Sequence, residues 1–506
     1  MDSQLKTFVD TLDRFYTAED VVHSIDGCLS CGMCGQSCAW YIETGDEKMH
    51  PKNRSDFIRN VYNRYNTLTG KIKGALGIIP TPTLEDIKEN MSVYWACTVC
   101  GRCTLSCPIG ISNRRLYRGV RIAYTDAGIS ETNPTLKAII DNSRDAKHSF
   151  GLSCEDVVAK PGLFMQYEDC EMPLDIHGAE YLFVCPAAGN TKIPELGIKG
   201  LKIMNAAQLD YTVSSQIIDT GTEIDHVAAH EGISKQMLLD WEAEAERLGV
   251  KTVIVAECGC DVRTMYVEAT EILGREFKFP IISIDTMWED IVNEHGVPYE
   301  PIDESVTMHD PCYVTRMSGM GEKYRKMFPK IVKDFREMTP NQEQNYCCNG
   351  GAGGMRMPEN TERRRKISRL KANQIEATGA ELVATPCAIC YLNMKDITEV
   401  YEQATPDKRK ARMFFEIFYD AMMKGLEKEG DTDRVKTPKL HKGMSKEELK
   451  KHSVNGYMDA LKKEKKSLFL DLLKKYRDDP NVNNYAKENP GFWKFMDKVE
   501  KEVKSS

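Results

Sequence analysis

The alternation of apolar and polar positions divides the chain into stretches of different period. Up to about Thr17 apolar residues recur at helical spacing and predict a short amphipathic helix, and Thr17 with Asp20 has the spacing of a capping box that would open a second. From Trp40 to Tyr94 the pattern is that of polar helices, interrupted by the turn-rich run IIPTPT. From Tyr181 the texture changes to short β-rich runs, YLFVC, HVAAH and KTVIVAECGC, alternating with helical ones such as KIMNAAQL and KQMLLDWEAEAERLG. That alternation predicts a small α/β unit.

A second such unit opens near Val306, and the two align as an internal repeat. SVTMHDPC answers EYLFVCP, and ELVATPCAIC answers KTVIVAECGC, each an apolar strand ending in cysteine. YCCNGG falls near AAHEGI, which sets His230 and Glu231 in the place of Cys347 and Cys348. The C-terminal part reads as helices, with MFFEIFYDAMMKGL strongly apolar and Ser445 to Glu448 another capping box. With 506 residues, more than one core is expected. The predicted class is mixed α+β and α/β: a helical module over 1–150 whose cysteine-bearing part begins near residue 18, a degenerate cysteine-rich α/β repeat over 175–300, a second repeat over 301–425, and a helical tail over 426–506.

Charge adds one feature. The net charge is -8, yet from Lys424 to Ser506 Lys and Arg outnumber Asp and Glu by 21 to 15. A basic tail on an acidic body is either a solvated helical face or a contact for anionic lipid or an acidic partner. No apolar run has the length of a membrane span, so the chain is not expected to cross a bilayer by itself. No nucleic-acid partner is expected.

The 18 cysteines carry the chemistry. The start, MDSQLKTFVDTLDRFYTAED, lacks the basic region and apolar core of a secretory signal, so a reducing compartment is expected and closely spaced cysteines are read as metal ligands. CLSCGMCGQSC supplies Cys28, Cys31, Cys34 and Cys38; CTVCGRCTLSCP supplies Cys97, Cys100, Cys103 and Cys107. Both have the C-x2-C-x2-C-x3-C run of bacterial ferredoxins, in which the fourth cysteine reaches the other cluster. One [4Fe-4S] cubane is then expected on Cys28, Cys31, Cys34 and Cys107, and a second on Cys97, Cys100, Cys103 and Cys38. Cys38 departs from the pattern in being followed by Ala39, where Cys107 has Pro108.

A third constellation is Cys312, the adjacent Cys347 and Cys348, and Cys387 with Cys390. Adjacent cysteines diverge from consecutive backbone positions and do not easily serve one tetrahedral ion, so five thiolates suggest a multinuclear site. Gly350, Gly351, Gly353 and Gly354 would let backbone amides approach sulfur, and a helix expected near Pro358 would offer its N-terminus to an anion.

This arrangement resembles the catalytic subunit of membrane-linked heterodisulfide reductases, and more closely the iron-sulfur K subunit of the dissimilatory sulfite reductase-associated membrane complex. The resemblance covers residues 20 to 425. It implies a noncubane [4Fe-4S] cluster on Cys312, Cys347, Cys348, Cys387 and Cys390, at which a disulfide or trisulfide substrate, such as a small sulfur-carrier protein of the DsrC type, is reduced. It implies an integral membrane cytochrome b partner that oxidises quinol, and a peripheral place on the cytoplasmic face of the membrane. The MFFEIFYDAMM helix and the ferredoxin module are the candidate docking surfaces. Two departures stand out: Asn349 follows the cysteine pair in place of glycine, and the first repeat keeps only Cys185, Cys258 and Cys260. These three are either relics or thiols beside the active cluster. The alternative is an electron-transferring subunit of a flavin-dependent glycolate or lactate dehydrogenase.

The remaining candidates are secondary. His309 and Asp310 precede Cys312 and could donate a proton or simply pack. Arg363, Arg364, Arg365 and Lys366 could attract an acidic protein or form a solvated helix face. Cys154 and Cys170 are expected to be structural.

Overall fold

The computed structural model describes residues 2–16, 19–185, 187–403 and 410–505; the expected capping box at Thr17 lies outside them. The amphipathic start is the helix Ser3–Tyr16, which buries Leu5, Phe8, Val9 and Leu12 along one face. It packs on the helices Pro51–Asn66 and Asn113–Asp126. Helix Leu84–Ala96 opens with a Thr83/Asp86 capping box and delivers Cys97 at its end. The core of these helices, including Phe8, Ile58, Trp95 and Tyr124, continues into Ile224, Val227 and Met237 of the first α/β unit and Met357 of the second. Continuous apolar packing therefore docks the helical module on both repeats.

Each repeat is a four-stranded parallel sheet. In the first, β1 (Tyr181–Val184), β2 (Tyr211–Thr212), β3 (Thr252–Val255) and β4 (Ile281–Ser283) lie in the order β2-β1-β3-β4. In the second, β5 (Ile302–Met308), β6 (Val332–Phe335), β7 (Leu382–Thr385) and β8 (Lys410–Met413) lie in the order β6-β5-β7-β8. The two orders are equivalent, so the repeat read from the sequence is a repeat of topology. Cys185, Cys258, Cys312 and Cys387 all follow the carboxyl ends of strands, the edge where open parallel sheets place their sites.

Two expectations are corrected. HVAAH is not a strand: His226 ends the helix Thr222–His226, and Val227, Ala228 and Ala229 form a buried turn beneath the helical module. Its apolar character serves packing on a neighbouring domain. The apolar helix, Phe414–Glu429, is not a docking surface either, because Phe414, Phe415, Ile417, Phe418, Ala421 and Met422 are buried. Its rings meet Trp288, Tyr324 and Phe328. Large apolar side chains gain about 1.5–3 kcal/mol each on burial, which rules out an exposed role for this face.

The basic tail folds as helices, with the Ser445/Glu448 capping box in place. Val454, Met458, Phe469, Leu473, Phe492 and Met496 join the core that holds both sheets. Lys160 of the helix Cys154–Glu168 pairs with Asp479 of the tail at 2.7 Å.

Candidate metal centres

The two ferredoxin motifs fold alike. In CLSCG, Ser30 and Gly32 have φ of +52° and +79°; in CTVCG, Val99 and Gly101 have +53° and +73°. Left-handed backbone at a β-branched Val99 is strained, and such strain persists where the surroundings hold it for a purpose. Here it curls the loop so that its thiols converge. Cys28, Cys31, Cys34 and Cys107 line one cavity. Cys38, Cys97, Cys100 and Cys103 line a second. The thiols are thus grouped across the two motifs. Cys38 caps the helix Ala39–Thr44, so Ala39 opens a helix where Pro108 stands in a turn.

Cationic groups offset this density of sulfur. Arg54 is buried beside the second set; burial works against its charge, but Cys97 and Cys38 more than restore it. Arg121 is also buried, and desolvation lowers it to about 10. It donates to the carbonyls of Tyr94 (2.9 Å), Cys97 (2.6 Å), His226 (2.8 Å) and Ala352 (3.1 Å), tying three separate segments together.

The third constellation begins where the second set ends. The side chains of Cys100 and Cys347 are in hydrogen-bonding contact, and Thr98 Oγ1 lies 3.4 Å from Cys347 Sγ. From Cys347 the thiols continue to Cys312 and Cys348, from Cys348 to Cys390 at 3.2 Å, and from Cys390 to Cys387. The backbone amides of Asn349 and Gly350 donate to Cys347 and Cys348 sulfur, each at 3.3 Å, the close approach expected of the glycine-rich loop. Asn349 has φ +71°, a conformation that glycine and asparagine adopt most readily, which accounts for asparagine at this position.

Family comparisons agree with this geometry. The model for the 4Fe-4S dicluster domain matches residues 24–111, and that for the CCG cysteine-rich domain matches residues 306–395. The chain is 27% identical to the Hdr-like menaquinol oxidoreductase iron-sulfur subunit 2 of Archaeoglobus fulgidus, covering 72% of this chain and 74% of that one. It is 27% identical to the Hdr-like menaquinol oxidoreductase iron-sulfur subunit of Archaeoglobus profundus (76% and 77%). It is 26% identical to a subunit of the dihydromethanophenazine:CoB–CoM heterodisulfide reductase of Methanosarcina barkeri (74% and 88%). The chain is thus similar to Hdr-like iron-sulfur subunits over about three quarters of its length. It has an N-terminal dicluster domain and a C-terminal CCG domain.

Behind the CCG thiols stands a polar chain that the motifs did not reveal. Lys371 is fully buried and lowered to about 7 by desolvation. Its Nζ donates to Asn345 Oδ1, which fixes the amide so that its nitrogen faces His309 Nδ1 at 3.3 Å and the Asp310 carbonyl at 2.7 Å. His309 must accept at Nδ1, so its proton sits on Nε2, directed at Cys348. Asp310 has a structural task, a two-pronged pair with Arg325 at 2.9 and 3.0 Å.

The other sequence candidates divide. Arg364 is buried against Asn393 and Asp396, and Arg365 also binds Asp396, so only Arg363 and Lys366 of that run are exposed. His230 caps the helix Glu231–Leu248 and Glu231 pairs with Arg14 at 2.7 Å, so neither replaces a cysteine chemically. Cys154 and Cys170 donate to the Gln216 and Val435 carbonyls, as structural thiols do. Cys185 lines an apolar cavity with Phe183 and Gly197. Cys258 and Cys260, in contrast, both touch Cys387. Asp225, His226 and Glu268 cluster as metal ligands could, but Arg118, Arg263 and Arg114 occupy that space and exclude a cation.

Proposed function

We propose that this chain is the iron-sulfur subunit of a membrane-associated redox complex that reduces a sulfur-sulfur bond. The contact of Cys100 with Cys347 carries the reading, because it abuts the dicluster domain directly on the CCG site. Cys28, Cys31, Cys34 and Cys107 would hold one cubane [4Fe-4S] cluster, Cys97, Cys100, Cys103 and Cys38 a second, and Cys312, Cys347, Cys348, Cys387 and Cys390 a noncubane [4Fe-4S] cluster. Donor sets made wholly of soft thiolate suit iron-sulfur groups, and the two cavities are of that kind, one lined by four thiols and the other by four together with Cys347 of the third site. When bound, these groups would carry electrons singly and deliver them at the third site to a sulfur-sulfur bond beside it.

The chain's own residues support the task. Cys31 is exposed and Leu29, Met33 and Ile109 around it are 73%, 43% and 51% exposed, an apolar rim suited to an electron-donating partner. No helix among the described residues is long and apolar enough to cross a membrane. We assign the donor to a quinol-oxidising cytochrome b in the membrane, with this chain peripheral on its cytoplasmic face; the names of the Archaeoglobus relatives, menaquinol oxidoreductase subunits, support the quinol. The acceptor is a disulfide or trisulfide, such as that of a small sulfur-carrier protein of the DsrC type. His309 is placed to hold a proton near Cys348, and Arg54, Arg121 and Lys371 offset thiolate charge.

The test is anaerobic purification, iron analysis and disulfide or trisulfide reduction from a low-potential donor. About twelve irons per chain are expected. Cys347→Ser should lose substrate reduction while the dicluster domain still reduces. Eight irons with zinc at the third site, or wild-type rates in Cys347→Ser, would replace this reading with that of an electron-transferring subunit.

A further inference from the structure

A cavity of about 210 Å³ borders the third site. One wall is the glycine loop Gly350–Gly353, with Ile389 from the CxxC turn beside it. Lys192, Arg356 and Glu223 also line it; Lys192 and Arg356 lie against the ring of Phe150, at 5.2 and 4.6 Å from its centroid, and Arg356 is paired with Glu223 at 3.2 Å, which leaves Lys192 as the cation of the wall. The thiol that lines this cavity is Cys260, from the repeat that has lost most of its motif. Cys260 also contacts Cys258 and Cys387, so it connects the cavity to the third site. The approach is tight: a Cβ on Gly259 would lie 3.3 Å from Cys387 Sγ and 3.4 Å from Pro311, so the C-G-C turn is pressed against the CCG site.

We propose that Cys258 and Cys260 are a working dithiol and not relics: Cys260 meets the substrate in this cavity, and Cys258 resolves the bond that forms. The substrate class is a disulfide bearing an anionic group, recognised by Lys192. This rests on the sulfur-reducing function proposed above and deepens it. In the first step the Cys260 thiol attacks the disulfide RS–SR′, giving Cys260–S–SR and releasing R′SH, which takes the thiol proton. In the second, the Cys258 thiol attacks Cys260–S–SR, releasing RSH and leaving a Cys258–Cys260 disulfide. Two electrons, those the proposed function brings to this site, and two protons then restore both thiols. The sum is RS–SR′ plus two electrons and two protons giving RSH and R′SH. Volume sets a limit on what enters: liquid water takes about 30 Å³ per molecule, so the cavity matches a short thioalkyl group, the reacting end of a small disulfide or of a carrier protein.

The experiment uses anaerobic holoprotein and dithiodiglycolate, an anionic disulfide, with cystamine as its cationic counterpart. Wild type should reduce dithiodiglycolate in preference to cystamine, by at least tenfold. Cys258→Ser should accumulate a mixed disulfide at Cys260, found by peptide mass spectrometry, with iron content unchanged. Cys260→Ser should form no adduct and lose at least tenfold in rate, while its iron content and the reduction of the dicluster domain stay as in wild type. Gly259→Ala, which keeps both thiols, should slow turnover by displacing them. If wild type reduces neither probe nor any trisulfide, the proposed function itself fails. If wild type is active and Cys260→Ser keeps its rate with no adduct at Cys260 in Cys258→Ser, the dithiol is overturned and the function stands. A Cys260→Ser protein short of iron would make Cys260 a metal ligand and would also overturn it.

Discussion

Replacing Glu268 by glutamine tests how the dicluster domain is fastened to the rest of the chain. Glu268 is 2% exposed and receives Arg263 Nε at 2.7 Å, with Arg114 bonded to its other oxygen and Arg118 3.8 Å away. Arg114 and Arg118 belong to the helical module, Glu268 and Arg263 to the first repeat. Burial alone would raise this carboxyl, but Arg263, Arg118 and Arg114 pull it down to about 2 from an ordinary 4.5. At about 1.4 kcal/mol per unit, the ionised form contributes roughly 3 kcal/mol to folding. Because the folded value is depressed, that contribution is complete above the unfolded value of 4.5 and is lost as pH falls from there toward 2. Glutamine keeps the shape and removes the charge, which leaves Arg114 and Arg263 without their carboxylate partner. In urea unfolding of the anaerobic holoprotein at pH 7, Glu268→Gln should fall short of wild type by about 3 kcal/mol, or about 1 M in midpoint for a slope near 3 kcal/mol per molar. Hydrogen exchange should increase first at the contact of helix Asn113–Asp126 with the first repeat. The gap between the two proteins should narrow as the pH is lowered below 4.5. A variant within about 0.5 kcal/mol of wild type at pH 7, or a gap independent of pH, would refute the argument.

Cys38→Ser should damage the cluster on Cys97, Cys100 and Cys103 and spare the one on Cys28, Cys31 and Cys34, as read by electron paramagnetic resonance of the reduced protein; loss of the sequence-local cluster alone would show that ligation is not crossed. Asn349→Gly should keep the third centre, whereas Asn349→Val, forced to φ +71°, should cost about 1–2 kcal/mol and lower iron by about four atoms per chain. Lys371→Met removes a charge from behind the CCG thiols and frees Asn345 to turn, so a redox titration should place the third centre lower by tens of millivolts, the scale of one nearby charge at an effective dielectric of about 20, with the other couples unmoved.

Much of the architecture was legible because parallel strands buried on both faces read as plain apolar runs, and the inner strands β1, β3, β5 and β7 each lead into a cysteine. SVTMHDPC and EYLFVCP became β5 and β1, and their alignment pointed to a repeat, to which the structure adds that both sheets share a strand order. HVAAH misled because an apolar turn packed under another domain has the composition of a strand. Helix Phe414–Glu429 misled for a related reason: apolarity marks burial without saying against what. Lys371 left a signal that motif reading passed over. It falls between Ile367 and Ile375 at four-residue spacing, a lysine on the buried stripe of its helix. Arg121 follows Tyr117 at the same spacing on the buried face of Asn113–Asp126. The meeting of Cys260 with Cys387 left no such trace, because it depends on how one repeat is seated on the other.

The fastening of three segments by Arg121 also bears on how the protein matures. Its guanidinium bridges the end of the first module's helix at Tyr94 and Cys97, the turn at His226, and the glycine loop at Ala352, so it seals the junction over thiols that are themselves buried. Cys347, Cys348, Cys387 and Cys390 are buried, so a carrier that delivered a cluster by direct contact would reach them only with that junction open. If the third site holds the proposed cluster, loading is expected before the domains settle together, so a chain that docks first should purify short of about four irons.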